Sequence, residues 1–314
     1  MPLSIDARRS VTARRRTGGG WAATALLYPR PRSVEPEADL GQTDGIMGGM
    51  TSEAHAWLLF RPGRHDALLR LFCLPYAGGG SSAYRDWQAG FPPEIEVCPV
   101  QLPGRENRFL EPPATSMPIL VRDLANGLGP FLDRPFALFG HSLGALVVFE
   151  LCHELRSMGQ PVARHLFVSA HRAPHLPDPR PPIHHLPDDA FVAELQRLNG
   201  TPEEVLGNSE LMELVLPTLR ADFTISETYR WKWRPPLNCP ITVFGGRNDP
   251  ETTPAELEAW RTHTRGALWV ELLPGDHFFL HDSKSQLQAA ILRQLMAPRL
   301  DGHEPTTLPR PDHR

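Results

Sequence analysis

A serine between two glycines is the first residue of this sequence whose surroundings could do chemistry. Residues 140–144 read GHSLG, which fits the pattern G-x-S-x-G around Ser142. An apolar run typical of a buried strand precedes it, and an apolar helical run follows it. That is the context of a nucleophile, which must sit on a strained strand-to-helix turn with its hydroxyl exposed. The alternative is a tight turn whose serine caps the helix.

A serine hydroxyl is a poor nucleophile unless a base and an orienting carboxylate assist it. After a G-x-S-x-G turn these partners follow in the order acid, then histidine, each in a loop after a strand. The sequence has 14 histidines, so position must select among them. The segment LPGDHFFL after the last predicted strand places His277 in the expected loop. His281 is interpreted as an exposed residue at a helix start, and His141 as packing behind the nucleophile.

The candidate acid lies in the loop after the predicted strand at 240–246. This loop reads RNDPET, and Asp249 comes just past the strand, ahead of a helix that begins with proline. A carboxylate there can accept a hydrogen bond from the imidazole and stabilise its charged form. Two rivals stay open at this stage. Asp276 adjoins His277 in sequence, where side chains usually point apart, and Asp178 lies well beyond the preceding strand in a Pro-rich segment.

Backbone amides are needed to hold the negative charge that develops when a carbonyl is attacked. One is predicted to be the N–H of Leu143, directly after the nucleophile, and the other should come from the loop after the first buried strand. That loop reads PYAGGGSSAY, and the N–H of Ala77 is the best candidate. A flexible hinge loop is the alternative, but three successive glycines suit the close approach of a substrate.

The scaffold must bring loops that follow different strands to one place. Short apolar runs bounded by turn residues predict strands at about 69–75, 95–103, 136–140, 164–170, 240–246 and 267–275. Helical patterns lie between them at about 117–132, 143–158, 254–263 and 283–296. This alternation predicts a mostly parallel sheet with helices on both faces. The stretch 172–235 breaks the rhythm with a Pro-rich start followed by helical segments, and it is predicted to be a lid.

The two ends of the chain differ from its centre. Residues 1–49 combine a basic, Gly-tipped run with a Pro/Gly-rich acidic run and show no sustained periodicity, so we expect a disordered extension. Residues 50–297 are predicted to form the folded domain, and residues 298–314 a loose, Pro-rich tail. Our hypothesis is that natural translation starts at Met47 or Met50.

Composition excludes several classes of function. The chain of 314 residues has a formal net charge of −4 and no basic stripe, which argues against nucleic acid as a partner. It has no apolar run near the ~20 residues that span a bilayer, and no secretory signal, so we expect no membrane association and a cytoplasmic location. The four cysteines lack metal-type spacing and are interpreted as buried thiols. No nucleotide, flavin or metal signature is found, so we expect no cofactor and no metal.

Taken in order, these segments resemble the type II thioesterases, the stand-alone α/β-hydrolases that accompany polyketide synthases and nonribosomal peptide synthetases. The resemblance covers roughly residues 56–297. It rests on LFCLPYAGGGSSAYRDW, VQLPGRENRFLEPP, LFGHSLGA, LRADFTISETYRW, FGGRNDP and LPGDHFFL. The PGRENR segment at 103–108 is more specific than G-x-S-x-G. The long extension at residues 1–49 departs from the compact family pattern.

The resemblance implies an α/β-hydrolase fold with a helical lid insertion, and hydrolysis of acyl thioesters held on the phosphopantetheine arm of a carrier protein. Ser142 would attack the thioester carbonyl, His277 would pass the proton to the leaving thiol, and water would release the acid. In the family this reaction restores stalled assembly lines. The implied partners are acyl or peptidyl carrier protein domains, and we expect a monomer.

Other readings stay open. A carboxylesterase or lipase of the same fold would act on oxygen esters, and a cyclising thioesterase would end a large synthase. A hydrolase-fold binding protein would need no intact triad. Arg105 and Arg108 could guide an acidic carrier or a phosphate, or take part in structural pairing at their loop. Four further residues are predicted to brace the lid against the core: Arg220, Asp222, Glu227 and Tyr229.

Overall fold

A computed structural model of the chain describes residues 56–58, 63–64, 66–198 and 206–297. At its centre is a six-stranded sheet with the order β2-β1-β3-β4-β5-β6, in which every neighbouring pair is parallel. The strands are Leu69–Leu74 (β1), Ile95–Pro99 (β2), Phe136–His141 (β3), Leu166–Ser169 (β4), Ile241–Gly246 (β5) and Leu268–Leu273 (β6). Each predicted strand is present, and the sheet expected to be mostly parallel is parallel throughout the described residues.

Helices cover both faces of this sheet. The described α-helices are Met117–Leu128 (α1), Leu143–Ser157 (α2), Asp188–Leu198 (α3), Ser209–Thr228 (α4), Pro254–Glu258 (α5), Phe279–Asp282 (α6) and Lys284–Met296 (α7). The helix predicted to reach residue 132 ends early and passes into a 3₁₀ turn at Gly129–Phe131. Pro130 lies in that turn and lacks the N–H that an α-helix would use there. None of the described helices is both long and apolar enough to cross a membrane.

The two faces of β1 show why the strands read as nearly continuous apolar runs; its one charged residue, Arg70, is buried and paired with Glu96 of β2. All six residues of β1 are buried, and successive side chains point to opposite faces of the sheet. Phe72 and Leu74 join the apolar cluster formed with α1 and α2, whereas Leu71 and Cys73 join the cluster formed with α7. A strand covered on both faces has no position where a polar residue would meet water.

An insertion of two described helices, α3 and α4, separates β4 from β5. It has an apolar cluster of its own, centred on Phe191 and Leu195 of α3 and on Met212 and Leu219 of α4. We call the described residues between these two strands the β4–β5 insertion. Its role as a lid and its predicted limits remain predictions, and the expectations for residues 1–49 and 298–314 lie outside the described residues.

The four predicted bracing residues divide into two pairs. Asp222 and Tyr229 contact the core, with the Tyr229 hydroxyl donating to Glu150 Oε1 at 2.7 Å. Glu227 instead holds the insertion's own Pro-rich segment, because its carboxylate accepts the backbone N–H of Ile183 at 2.9 Å. Arg220 binds the same segment, because its guanidinium donates to the carbonyl oxygen of Leu186 at 2.8 Å. The insertion is therefore fastened both to itself and to the sheet domain.

Two buried histidines away from the candidate site should make stability depend on pH. His165 is 4% exposed, and its Nε2 lies 2.8 Å from Thr242 Oγ1. Burial lowers its pKa to about 4. His263 is also buried, and burial together with neighbouring His175 lowers its pKa to about 4.

We expect the free energy of unfolding to decrease as the pH falls from about 6.5 to about 4. In that window His165 and His263 are protonated in the unfolded chain but stay neutral in the folded protein, so protonation favours unfolding. Each unit of pKa difference between the two states corresponds to ~1.4 kcal/mol. Urea unfolding at pH 7.5, 6 and 5 measures the effect. The variant His165→Gln, which has no titratable ring, should show a weaker pH dependence. Equal slopes for the variant and the parent protein would contradict this account.

Candidate active site

Ser142 stands on the turn between β3 and α2 in a backbone conformation that side-chain-bearing residues rarely adopt. Its φ is 53° and its ψ is −118°. The Ser142 side chain makes no capping hydrogen bond to α2, so the alternative of a serine that caps the helix is excluded. Its Oγ instead lies 3.0 Å from Nε2 of His277.

Both glycines of the GHSLG turn are required by close backbone approach. A Cβ placed on Gly140 would lie 2.1 Å from the carbonyl oxygen of Gly144. A Cβ placed on Gly144 would lie 2.4 Å from the carbonyl oxygen of Leu74, the last residue of β1. The end of β3, the first turn of α2 and the end of β1 therefore pass one another at distances that only glycine permits.

The variant Gly144→Ala is expected to lower both stability and activity. Its new Cβ would push the start of α2 away from the end of β1, at a cost of about 1–3 kcal/mol. We expect kcat to fall at least about 10-fold, since small misplacements at a reacting centre are costly. The control is Gly129→Ala, because Gly129 has helical dihedral angles and a Cβ placed on it would have no atom within 4 Å. Thermal unfolding and steady-state kinetics compare the two, and equal behaviour would contradict the argument.

His277 and Asp249 follow the ends of β6 and β5, and the two side chains meet. The Nδ1 of His277 lies 3.1 Å from Oδ2 and 3.2 Å from Oδ1 of Asp249, whose side chain is fully buried. The same carboxylate accepts the N–H of Glu251 at 2.8 Å and the hydroxyl of Thr252 at 3.0 Å. Since an ionised carboxylate only accepts, Nδ1 carries the proton and Nε2 presents its lone pair to Ser142.

The two rival carboxylates are engaged elsewhere. Asp276 accepts the backbone N–H of Phe278 at 2.8 Å, within its own loop. Asp178 pairs with Arg172 at 2.7 Å and with Arg180 at 3.1 Å. The structure therefore brings Asp249 to the imidazole of His277 and neither of the alternatives that the sequence left open.

His141 has a more specific position than the sequence indicated. Its Nε2 lies 2.9 Å from the carbonyl oxygen of His277, and its Nδ1 lies 2.9 Å from Ser169 Oγ. A carbonyl oxygen only accepts, so Nε2 donates and Nδ1 accepts from the serine hydroxyl. Complete burial, together with the nearby charge of His277, lowers the pKa of His141 well below its ordinary value. This neutral ring ties the backbone of the His277 loop to β3 and β4.

The glycine loop after β1 contains Ala77, whose amide is the sequence-predicted oxyanion donor. The N–H of Gly79 donates to the carbonyl oxygen of Tyr76 at 2.9 Å, and the N–H of Gly78 donates to Asp222 Oδ2 at 2.7 Å. The N–H groups of the two residues that follow Ala77 therefore already have hydrogen-bond partners. Leu143 begins α2, and the first N–H groups of a helix lack partners within the helix.

A cavity of about 1040 Å³ extends from Ser142 beneath the β4–β5 insertion. Four of the five sequence-predicted site residues line this cavity: Ser142, His277, Ala77 and Leu143. The fifth, Asp249, has a fully buried side chain. Apolar side chains of the insertion, among them Leu195 and Leu219, line the cavity as well. Among the residues described, no group of three or more His, Cys, Asp or Glu side chains is placed to hold a metal ion.

Comparisons with known proteins agree with this architecture. A family model described as the thioesterase domain matches residues 69–297. Linear gramicidin dehydrogenase LgrE of Brevibacillus parabrevis is 50% identical over 238 residues, covering 75% of this chain and 90% of that protein. Gramicidin S biosynthesis protein GrsT of Aneurinibacillus migulanus is 46% identical over 252 residues, covering 79% of this chain and 98% of that protein.

A solved structure of the type II thioesterase BorB from the borrelidin biosynthetic cluster superposes with a TM-score of 0.67 at 38% identity. The superposition covers 76% of this chain and 98% of the BorB chain. The match of the family model over most of the chain, the sheet order and the similarity to GrsT and BorB agree with one another. The chain therefore belongs to the thioesterase family, and within it to the type II thioesterases of the α/β-hydrolase fold.

Proposed function

We propose that this thioesterase hydrolyses acyl groups from the phosphopantetheine arm of a carrier protein and so clears stalled groups from a peptide or polyketide assembly line. The observation that carries the proposal is the hydrogen-bonded chain from Ser142 through His277 to Asp249 beside the cavity. The names of GrsT and BorB, which refer to gramicidin S biosynthesis and to the borrelidin cluster, support a substrate of this class.

The first half of the reaction transfers the acyl group to the enzyme. Ser142 Oγ attacks the thioester carbonyl carbon while His277 Nε2 takes the hydroxyl proton, and the carbonyl electrons move onto oxygen. The amides of Ala77 and Leu143 stabilise that oxyanion. When the intermediate collapses the C–S bond breaks, His277 protonates the leaving sulfur, and the carrier departs with a free thiol.

The second half releases the product. His277 takes a proton from water, whose oxygen attacks the acyl-serine carbonyl at the same oxyanion site. Collapse of this intermediate breaks the ester bond, the proton returns to Ser142 Oγ, and a carboxylic acid leaves. In both halves Asp249 stabilises the imidazolium form of His277 and holds its orientation.

Substrate preference separates this function from that of an oxygen-ester hydrolase with the same triad. We expect kcat/KM to be at least about 10-fold higher for an acyl carrier protein than for the acyl-cysteamine thioester, because docking of the carrier adds binding energy. The p-nitrophenyl ester of the same acyl group should be poorer still. Reactions with Ser142→Ala supply the background rate. A strong preference for the oxygen ester would overturn the proposal.

The name of LgrE contains the word dehydrogenase, which suggests a site for a dinucleotide cofactor. The glycine loop of this chain does not favour such a site. Residues 78–80 lead into a short 3₁₀ turn, Ser81–Tyr84, instead of a long helix. A dinucleotide site places the pyrophosphate at the N-terminus of such a helix. The N–H of Gly78 is also bound by Asp222, so this loop suits a hydrolase better.

We also propose where the enzyme is located and in which oligomeric state it works. We place the enzyme in the cytoplasm, in keeping with its cysteines, which are all free thiols; three are buried and Cys239 is half-buried. We further propose that it works as a monomer that meets its carrier transiently. Size-exclusion chromatography with light scattering tests the oligomeric state, and a stable dimer at micromolar concentration would contradict the monomer.

A further inference from the structure

A buried ion pair links the β4–β5 insertion to the loop beside the candidate site. Asp222 of α4 is 1% exposed, and its Oδ1 and Oδ2 accept from Arg105 Nη2 at 2.8 Å and Nη1 at 2.7 Å. Arg105 is 6% exposed, so its guanidinium faces the carboxylate and not a docking surface. Of the two sequence-based readings of Arg105, the structural pair is the one observed.

Both members of the pair also hold the backbone of the glycine loop. Asp222 Oδ2 accepts the N–H of Gly78 at 2.7 Å, and Arg105 Nη1 donates to the carbonyl oxygen of Gly79 at 3.0 Å. The first of these peptide groups directly follows Ala77, whose amide is the proposed oxyanion donor, and the second lies two peptide groups further along the loop. The orientation of that amide therefore depends on where the pair holds its neighbours.

The same helix packs directly onto the loop. Leu219 lies one turn before Asp222 on α4, so both side chains share a face. A Cβ placed on Gly78 would lie 2.4 Å from Leu219 Cδ2, and the φ of Gly78 is +75°, which favours glycine. The positive φ therefore favours glycine at position 78, and a side chain there would in addition displace the end of Leu219.

The far end of the loop is held by Gln101 and Glu106, two side chains that follow β2. The N–H of Ser81 donates to Gln101 Oε1 at 3.0 Å, and the hydroxyl of Ser81 donates to Glu106 Oε2 at 2.8 Å. The hydroxyl of Ser82 donates to Glu106 Oε1 at 2.5 Å. With one end continuous with β1 and the other held here, the middle of the loop is fixed by its own turn bond from Gly79 to Tyr76 and by the Asp222–Arg105 pair.

We propose that Asp222 is a positioning residue for the oxyanion hole, which presents the Ala77 amide to the reacting carbonyl only while α4 is docked on the loop. This inference rests on the proposed function, because it assumes that Ala77 holds the oxyanion. It makes the β4–β5 insertion part of the catalytic apparatus: displacement of α4 would disorganise the oxyanion site as well as open the cavity.

The test compares variants of Asp222 with a matched change on the same helix. In Asp222→Asn the negative charge is lost and one acceptor oxygen becomes an N–H₂ donor, so the contacts with the Gly78 N–H and with Arg105 Nη2, which use different oxygens, cannot both persist. The control is Thr218→Val, which removes the hydrogen bond from Thr218 Oγ1 to the carbonyl oxygen of Gly104 (2.5 Å) and leaves the loop contacts in place. Arg105→Lys is a second variant for use if Asp222→Asn fails to fold.

Two readouts separate positioning from a purely structural role. We expect Asp222→Asn to lower kcat by about 10- to 100-fold with KM changed by less than about 3-fold, below the loss from deleting an oxyanion donor outright. The affinity for an alkyl trifluoromethyl ketone, whose serine adduct carries an oxyanion, should fall by the same factor as kcat/KM. Thr218→Val should lower the unfolding temperature without changing either quantity.

Wild-type kcat and inhibitor affinity in folded Asp222→Asn, or an equal loss in Thr218→Val, would overturn the inference. The proposed function is judged separately by Ser142→Ala. If that variant is inactive while Asp222→Asn is fully active, only the positioning role fails. If Ser142→Ala retains turnover, the proposed mechanism itself fails.

Discussion

Replacing Ser142 with alanine is expected to abolish thioester hydrolysis while leaving the fold intact. The side chain of Ser142 contacts Nε2 of His277 and makes no cap to α2, so its removal takes away the attacking oxygen and little else. Loss of a triad nucleophile costs at least about 10³-fold in kcat, because the remaining groups cannot form the acyl-enzyme. Turnover of an acyl carrier protein and a thermal melt measure the two halves of this expectation.

The matched control is Ser157→Ala at the other end of α2, where the hydroxyl donates to the carbonyl oxygen of Glu154 at 2.8 Å. It should keep full activity. A fluorophosphonate should label wild-type protein on the peptide that carries Ser142 and should leave Ser142→Ala unlabelled. Unchanged turnover in Ser142→Ala would contradict the assignment, and absence of label on folded wild-type protein would favour a hydrolase-fold binding protein.

Replacing Asp249 with asparagine is expected to lower kcat by roughly 10³- to 10⁴-fold. The amide of the new residue can still accept from Glu251 or Thr252, so the loop should keep its shape. It can also donate to Nδ1 of His277, which would shift the imidazole proton to Nε2. In that tautomer the ring donates to Ser142 and cannot accept its proton.

The control for this change is Asp276→Asn, one residue before His277. The Asp276 side chain accepts only a backbone N–H of its own loop among the hydrogen bonds of the described residues, and asparagine can keep that contact. We expect activity within about 3-fold of wild type, as for substitutions away from the reacting groups. A larger loss in Asp276→Asn than in Asp249→Asn would show that the wrong carboxylate has been assigned.

The sheet could be predicted because its sequence signal is local. β1 through β5 are buried along their whole lengths, so apolar runs bounded by turn residues marked them directly. The order serine, acid, histidine then assigned Ser142, Asp249 and His277 to loops at one edge of a parallel sheet. The helix ends were less predictable, because the apolar pattern of α1 continues past Pro130 into a 3₁₀ turn.

Apart from the contacts among Ser142, His277 and Asp249, the specific partners of residues in distant segments could not be predicted from the sequence. Arg105 and Asp222 are separated by 117 positions, and nothing in either local pattern shows that they form a buried pair. His141 likewise acquires its role from Ser169 and from the carbonyl of His277, which come from later parts of the chain. The sequence marked Arg105 and Asp222 as candidates for structural contacts, but the partner that each residue takes depends on which loops the fold brings together.

Trapping the acyl-enzyme tests the central claim most directly. Acyl carrier protein is mixed with the enzyme, quenched in acid within milliseconds, and both proteins are weighed intact and as peptides by mass spectrometry. We expect the acyl group on the enzyme peptide that contains Ser142, and an amount of carrier with a free thiol equal to the acyl-enzyme plus the released acid. An acyl group on another residue, or release of the acid with no enzyme-bound acyl group at any time, would contradict it.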